Sequence, residues 1–236
     1  MLKFSSPLHE ATIIKRYKRF FVDATLKSSN ALITGHCPNT GTLKSCYREG
    51  ATIFLSHTNV AERKLKYTWE YTQIPEGLIG INTMRPNAIV AEGITAGLIP
   101  ELSEFDQIQR EVRYGENSRI DIFLSHSKNK KQTAFVEIKN ATLRVDDAIT
   151  FPDAVTTRGQ KHLEELMRVV KSGTRAVMLY LVNRPDGSYF TPADDIDPTY
   201  AKLLRQAHKK GVELLAYRAA STLEGSQIGD KIEIRL

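Results

Sequence analysis

Two carboxylates and a lysine stand on two neighbouring segments that have the composition of β-strands. Asp121 lies in the segment 118–124, and Glu137 and Lys139 stand two residues apart in the segment 134–139. Carboxylate oxygens are the ligands that Mg²⁺ and Mn²⁺ prefer, and a cation held there lowers the pKa of water and neutralises charge on a phosphate. An ammonium group nearby can orient the attacking hydroxide or stabilise the transition state. This pattern predicts a metal-dependent phosphodiester-hydrolysing site.

Strand alternation separates these charges from the apolar side chains around them. Successive side chains of a strand point to opposite faces, so Ile120 and Ile122 are expected opposite Asp121, and Val136 and Ile138 opposite the Glu-x-Lys pair. The polar stretch between the two segments is long enough to join them as a hairpin. We therefore expect the two carboxylates to lie side by side.

A third carboxylate often completes a site of this kind, and the sequence offers two candidates. Glu92 is the first, on a predicted helix over 87–99 with Asn87 or Thr83 as its N-cap. Glu111 is the second, on the strand-like segment that precedes Asp121.

The elements that must position these groups alternate between helix and strand. The most regular helix is predicted over 158–172, where apolar residues recur at i, i+3, i+4 and i+7 and a glycine follows. The remaining predicted elements are strands over 108–114, 118–124, 134–139, 175–182 and 212–217 and a helix over 200–210. Helix, three strands, helix, strand is a mixed α/β order, with a hairpin that leads into a mixed central sheet.

The first part of the chain has a different pattern. Turn signals separate five segments rich in β-branched and aromatic residues, at 11–26, 31–36, 51–57, 64–74 and 78–82. Five strands in about 80 residues, the first long enough to bend around a corner, suit a small barrel of the OB type, although other small barrels fit nearly as well. We place the domain boundary near residues 83–86, with domains 1–82 and 83–236 packed directly together.

Charge also differs between the two parts. Residues 1–82 contain eleven Lys or Arg against six Asp or Glu, a net charge of +5, and residues 83–236 contain twenty-two against twenty-one, a net of +1. A basic, aromatic-interleaved run at 15–20 favours contact with nucleic-acid phosphates and bases. The predicted DNA-binding residues are Lys15, Arg16, Lys18, Arg19, Lys64 and Lys66. Leu65, Tyr67, Trp69 and Tyr71 share a face at period two and are expected to pack inside the barrel, with base stacking as the alternative.

Composition excludes several classes of protein. A hydrophobic fraction of 41% with 25% charged residues excludes disorder for the bulk of the chain, and no apolar run approaches the length of a membrane span. The N-terminal residues lack the apolar core of a secretory signal. Cys37 and Cys46 are too few for a disulfide scaffold and lack the spacing of a zinc site, so we expect free thiols in a cytoplasmic protein without a disulfide partner.

Asp121 followed by Glu137-Ile138-Lys139, in this order of elements, resembles the core of the PD-(D/E)xK restriction-endonuclease-like nucleases. From end to end the chain resembles the sugar fermentation stimulation protein (SfsA) family. The matching stretches are Cys37-Pro38-Asn39-Thr40-Gly41, Gly115 through Ser118-Arg119-Ile120-Asp121, Val136-Glu137-Ile138-Lys139-Asn140-Ala141-Thr142-Leu143, and Phe151-Pro152-Asp153-Ala154-Val155-Thr156-Thr157-Arg158-Gly159, continuing into Gln160-Lys161-His162-Leu163.

The resemblance implies an OB-like barrel joined to a nuclease-like α/β domain, DNA binding, and a regulatory part in sugar metabolism, maltose in particular. By position, Asp121, Glu137 and Lys139 match the nuclease motif, although Ile120 stands where the superfamily has proline. Arg158, Gln160 and His162 are second-tier candidates, because their helix begins where it could approach the site.

Three functional hypotheses remain. The first is a DNA-binding protein whose Mg²⁺ or Mn²⁺ site cleaves DNA. The second is a non-catalytic DNA-binding regulator that keeps the nuclease fold. The third is an RNA-binding module, since no residue pattern distinguishes single-stranded RNA from DNA.

Overall fold

The structure is a computed structural model that describes residues 1–114 and 118–236. In chain order its elements are β1 (Leu2–Lys3), β2 (His9–Tyr17), β3 (Phe21–Leu26), β4 (Leu32–His36), β5 (Thr52–His57), β6 (Tyr67–Ile74), β7 (Gly77–Gly80), α1 (Pro86–Thr95), a 3-10 helix (Pro100–Leu102), β8 (Gln107–Tyr114), β9 (Ser118–His126), β10 (Asn129–Ala141), β11 (Leu143–Val145), β12 (Ala148–Phe151), α2 (Thr157–Lys171), β13 (Arg175–Val182), β14 (Tyr189–Pro192), α3 (Pro198–Lys209), β15 (Glu213–Ser221), β16 (Gly225–Lys231) and β17 (Glu233–Ile234). Gly115 of the family-like stretch lies outside the described residues. None of the helices in the described ranges is long and apolar enough to cross a membrane.

Strands β2 to β6 form a closed barrel, which confirms the predicted OB-like architecture. The strand order is β4-β3-β2-β5-β6-β7, and a parallel pairing of His36 with Thr68 joins β4 to β6 and closes the sheet on itself. Apolar side chains that alternate along these strands fill the interior. The largest of them include Ile13, Ile53, Leu55, Trp69 and Ile79.

The predicted single strand over 11–26 is wrong, because this segment is the hairpin β2–β3. Tyr17 pairs with Phe21, and between them Lys18 and Arg19 adopt φ values of 48° and 63°. The left-handed conformation that reverses the chain usually falls to Gly, Asn or Asp. Because Lys18 and Arg19 occupy the turn instead, the sequence pattern typical of a β-strand continues through it without a turn signal.

The predicted common face of the aromatic residues holds only in part. Trp69 and Tyr67 pack in or against the barrel core. Phe54 pairs with Tyr71 and Leu55 with Trp69, so Glu70 is the additional residue of a β-bulge, which rotates the strand. Tyr71 consequently leaves the barrel core, and its hydroxyl lies 2.5 Å from Ser226 Oγ in the second part of the chain.

A mixed seven-stranded sheet forms the second part, in the order β1-β16-β15-β13-β10-β9-β8. Strands β10, β13 and β15 run parallel, and β9 and β8 continue antiparallel at one edge. Helix α1 packs on one face, and α2 and α3 pack on the other. This arrangement confirms the predicted α/β class with its mixed central sheet and the hairpin that precedes the parallel strands.

The predicted common face of Ile120 and Ile122 is wrong. Ile122 packs with the residues under α1, whereas Ile120 packs with the residues under α2 and α3. The last register pair between β9 and β10 is Ile122 with Val136. Alternation no longer assigns faces beyond that point, because β9 separates from its neighbour there.

Several short strands were not predicted. Strands β11, β12, β14 and β17 form a second, four-stranded sheet, and none exceeds four residues, which is too short for a periodic signal. Strand β1 at the N-terminus pairs with β16 in the large sheet. The family-like stretch at 151–159 connects this small sheet to α2.

Helix α1 differs from its prediction at both ends. Neither Asn87 nor Thr83 is its cap: the N-cap is Arg85, without a side-chain hydrogen bond, and Pro86 occupies the first turn. The helix ends at Thr95, before Gly97 at φ 70°, and so does not reach residue 99. A glycine in this conformation terminates helices readily because it lacks Cβ. The Asn87 side chain is therefore free for another contact.

The barrel and the large sheet pack directly against each other through polar contacts. The Gly80 amide donates to the Asn183 carbonyl at 2.8 Å, and the Thr42 amide donates to Asp153 Oδ2 at 2.7 Å. The Thr83 hydroxyl donates to the Pro38 carbonyl at 2.8 Å. These contacts place the barrel turn at residues 38–41 beside the end of β10.

Candidate active site

Asp121 lies where β9 and β10 separate, and its carboxylate takes the place of the missing strand hydrogen bond. Oδ2 accepts from the Ile138 amide at 2.7 Å, and Oδ1 accepts from Asn87 Nδ2 at 2.8 Å. The start of α1 and the middle of β10 therefore both orient this side chain. From the sequence, Asn87 was predicted only as a possible N-cap of α1, and no sequence pattern indicated its contact with Asp121.

Glu137 is the most buried charged group of the site, with 2% of its side chain exposed. Its Oε1 accepts from Lys139 Nζ at 2.7 Å and also contacts His162 Nδ1. Its Oε2 is buried and has no hydrogen-bond partner within residues 1–114 and 118–236. A buried carboxylate oxygen without a partner is costly unless a cation or a donor meets it.

Helix α2 brings two of its three predicted site residues, Arg158 and His162, towards Glu137. Lys139 Nζ lies 3.1 Å from His162 Nδ1, and Arg158 Nε lies 3.4 Å from His162 Nε2. The Thr156 hydroxyl caps this helix by accepting from the Gly159 amide, so its first turns point towards the end of β10. Gln160 turns away from the site, because its amide donates to Asp197 at the start of α3.

The two carboxylates have opposite pKa shifts. Burial, followed by the charge of Glu137, raises the pKa of Asp121. Burial alone would also raise the pKa of Glu137, but the hydrogen bond from His162 and the charge of Lys139 lower it overall. The site therefore favours an ionised Glu137 beside an Asp121 that holds a proton more readily, as expected of two carboxylates that share one space.

The two candidates for the third carboxylate lie in different places. Glu92 faces away from the site and forms an ion pair with the amino group of Met1. Glu111 of β8 lies opposite Asp121 of β9, since its neighbours Arg110 and Val112 pair with Ile122 and Ile120. Asn87 Nδ2, which donates to Asp121, also lies 3.4 Å from Glu111 Oε1. Proximity favours Glu111 over Glu92.

The residues of the site fit a hard divalent cation. In the part of the chain that the structure describes, no three His, Cys, Asp or Glu side chains are arranged to hold a metal by themselves. Mg²⁺ is usually bound by only one or two carboxylates and retains several waters. Asp121 and Glu137 supply that number, and the unpartnered Oε2 of Glu137 supplies a buried oxygen.

The predicted DNA-binding residues divide into engaged and available groups. Arg16 is engaged, because its Nη2 donates to the carbonyls of Asn39 at 2.7 Å and Gly41 at 3.0 Å. Lys66 is engaged in the same way with carbonyls of the loop before β6. The available group consists of Lys18, Arg19 and Lys64, whose side chains are exposed. Lys15 is also exposed, but its Nζ lies 3.9 Å from Asp23 Oδ2 and 5.4 Å from the centre of the Tyr17 ring.

Cys37 and Cys46 are free thiols buried in the barrel core. Burial raises the pKa of both, so each thiol stays protonated and packs as a small apolar group. Neither lies among the residues that surround Glu137.

An OB-like barrel followed by a mixed α/β domain, with an Asp and a Glu-x-Lys at the end of its antiparallel hairpin, defines a two-domain class of protein. Two family models match these parts: "SfsA N-terminal OB domain" at residues 14–81 and "Sugar fermentation stimulation protein RE domain" at residues 84–225. The chain therefore belongs to the sugar fermentation stimulation protein (SfsA) family.

Similar proteins cover nearly the whole chain. A sugar fermentation stimulation protein homolog of Geotalea uraniireducens is 52% identical over 230 residues, or 98% of each chain. The homolog of Paramagnetospirillum magneticum is 44% identical over 235 residues, which is 100% of this chain and 98% of the other. The solved structure of Pyrococcus furiosus SfsA in complex with Ca²⁺ is 28% identical, with a TM-score of 0.88 over 100% of this chain and 98% of that one.

Proposed function

We propose that this protein binds DNA and that Asp121, Glu137 and Lys139 hydrolyse phosphodiester bonds with the help of Mg²⁺ or Mn²⁺. The observation that carries the proposal is the pair of carboxylates at the end of the β9–β10 hairpin, in which Glu137 Oε2 is buried without a partner among the described residues. Asp121 and Glu137 would hold the cation. Glu111 would complete the acidic set, because Asn87 Nδ2 lies within reach of both Glu111 and Asp121.

Each side chain has a distinct task in this reaction. A bound divalent cation supplies Lewis-acid stabilisation of the phosphate and lowers the pKa of water. Lys139 donates to Glu137 Oε1 at 2.7 Å, and it would orient the attacking water or stabilise charge on the phosphate. His162 and Arg158 hold the Glu137–Lys139 pair in position from α2.

Two further observations support the proposal. The structure of the Pyrococcus furiosus relative is described as a complex with Ca²⁺, a hard cation that takes oxygen ligands as Mg²⁺ does. The barrel has most of the net positive charge, and Lys18 and Arg19 are exposed at the tip of the β2–β3 hairpin. Exposed cations of this kind attract the phosphate backbone.

The role in sugar metabolism, maltose in particular, and a cytoplasmic location remain predictions.

The test is cleavage of labelled single- and double-stranded DNA with Mg²⁺, Mn²⁺ or EDTA. We expect cleavage that requires the cation and that Lys139→Ala lowers by at least about 10²-fold, with unchanged DNA affinity. Lys202→Ala, an exposed lysine on α3, is the matched control and should keep full activity. Cleavage that survives both Lys139→Ala and Asp121→Ala would overturn the site assignment.

One observation favours a second candidate, the non-catalytic DNA-binding regulator. Glu137 Oε1 already has two partners, Lys139 and His162, so this part of the site is stable as an ion-paired cluster. A regulator predicts DNA binding without cleavage under every cation, and DNA affinity that Asp121→Asn leaves unchanged. The cleavage assay and the binding assay together distinguish the two candidates.

A further inference from the structure

A groove of about 380 Å³ lies between the barrel turn at residues 38–41 and the segment that leads into α2. It starts one residue beyond Lys139, because Asn140 of β10 lines it. Thr156, the N-cap of the helix that carries Arg158 and His162, lines the opposite end. The volume falls within the range of about 300–1,000 Å³ found for small-ligand sites.

Polar groups in this groove are available to a ligand. Asn39 Oδ1 accepts from the Gly41 amide, and Asn140 Oδ1 accepts from Asn183 Nδ2. The Nδ2 groups of Asn39 and Asn140 have no hydrogen-bond partner in the described part of the chain, and neither have the hydroxyls of Thr40 and Thr142. Two amide donors and two hydroxyls therefore line one groove without partners among the described residues.

The remaining walls decide which class of ligand fits. Leu143 and Pro152 are buried apolar residues of the lining, and Val155 stands at the rim with 70% of its surface exposed. Asp153 adds a carboxylate, held by the Thr42 amide through Oδ2. A carboxylate disfavours a phosphate inside the groove, whereas it can accept from the N–H groups of a neutral ring. Arg19, the exposed cation of the lining, would instead pair with a phosphate that lies outside the groove.

We infer that this groove binds a nucleobase, extruded from the DNA strand that the neighbouring site holds. The inference rests on the proposed function for its biological ligand. The flat ring would lie against the apolar lining, and an acceptor on its edge, a carbonyl oxygen or in adenine a ring nitrogen, would accept from Asn39 and Asn140. The phosphate of the same nucleotide would remain near Arg19. Enzymes that take a base out of the stack read its polar edge in this way.

The test uses single nucleosides, which lack phosphate, and so does not depend on cleavage. The full-length protein, labelled with ¹⁵N, is titrated with each of the four deoxynucleosides up to about 10 mM, and the side-chain amide signals are followed. We expect saturable shifts of the Asn39 and Asn140 signals, with Asn129 at the β9–β10 turn unchanged. Inorganic phosphate, titrated in parallel, should leave the Asn39 and Asn140 signals in place.

Two variants sharpen the result. Asn140→Ala should weaken nucleoside binding about three- to tenfold, because one neutral hydrogen bond is lost. Val155→Trp fills the groove from its exposed rim and should abolish the shifts without affecting the fold. Val145→Trp, a valine with 52% exposure outside the groove, is the matched control and should bind normally.

Each outcome separates this inference from the proposed function. Nucleoside binding without any DNA cleavage would leave the groove assignment intact and contradict the nuclease. Cleavage of DNA with no shift of the Asn39 and Asn140 signals would contradict the groove. Equal shifts with phosphate and with nucleosides would show an anion site, and binding that Val155→Trp does not reduce would place the nucleoside elsewhere.

Discussion

His162 and Glu137 are in direct contact, the imidazole Nδ1 against the carboxylate Oε1, although 25 residues separate them in the chain. Lys139 donates to the same oxygen at 2.7 Å, whereas Oε2 of this carboxylate is buried without a partner in the described residues. One side of Glu137 is therefore held by the protein, and its other side is available to a cation.

Mg²⁺ or Mn²⁺ should stabilise the folded protein against heat. A cation that binds only the native state, and is present at a concentration of a hundred times its dissociation constant, stabilises the native state by about 2.7 kcal/mol. Glu137→Gln should abolish this rise in melting temperature, because the amide is neutral but of similar shape. Differential scanning fluorimetry measures the effect. A cation-dependent rise that persists undiminished in Glu137→Gln would place the cation elsewhere.

Glu111 and Glu92 provide a matched pair for the third carboxylate. Glu111→Gln should weaken cation affinity about tenfold, because Glu111 lies beside Asn87 and opposite Asp121 on the neighbouring strand β8. Glu92→Gln should leave the affinity unchanged, since Glu92 pairs with the amino group of Met1. Isothermal titration with Mn²⁺ compares them, and the reverse order would restore Glu92 as the ligand.

His162→Ala should lower the free energy of unfolding by about 1–3 kcal/mol. The substitution leaves the buried Glu137 carboxylate with one donor fewer, and a buried acceptor that loses its donor costs an amount of this order. Urea denaturation of the cation-free protein measures the change. His208→Ala, at an exposed position near the end of α3, is the control and should have a smaller effect.

Arg16 and Arg19 should separate stability from DNA binding. Arg16→Ala should destabilise the protein by about 1–3 kcal/mol, because two carbonyls of the turn at residues 38–41 lose a charged donor. Arg19→Ala should leave the stability unchanged and reduce the slope of log affinity against log salt by about 0.7–0.9, the value of one phosphate contact. Equal effects of both substitutions on the salt slope would contradict the structural role of Arg16.

Acid should destabilise the protein in part through Asp186. Burial would raise the pKa of this carboxyl, but hydrogen bonds from Arg184 and Arg144 outweigh it and lower the pKa to about 2. A lowered pKa means that the stabilisation is present above the unfolded pKa of about 3.9 and is lost as pH falls towards the folded value. The Asp186→Asn variant should therefore be less stable than the parent protein at neutral pH. Its free energy of unfolding should also fall less between about pH 4 and pH 2.

Urea denaturation across this pH range measures the effect, and the Asp194–Arg205 pair is the control. Asp194 is 53% exposed, so solvent screens its ion pair and Asp194→Asn should change little. An acid dependence in Asp186→Asn as steep as in the parent protein would contradict the assignment.

Local patterns predicted much of the fold and the contact between the elements that carry the proposed site. Alternation and a polar connection predicted the β9–β10 hairpin and the two carboxylates side by side, and apolar spacing predicted α2 to within one residue at each end. These features depend on neighbours in the chain, so the sequence contains them directly. The family-like stretches predicted the two-part architecture, which the family models match.

The sequence alone predicted Asp121, Glu137 and Lys139 as the groups that could do chemistry. Which groups surround them depends on how distant parts of the chain pack together. This packing brought Asn87 to Asp121, His162 to Glu137 and Glu92 to the amino terminus, and it engaged Arg16 in a turn. Periodicity specifies the apolar face of an element. The partners of its polar face depend on how separate elements pack, and those contacts join residues that are far apart in the chain.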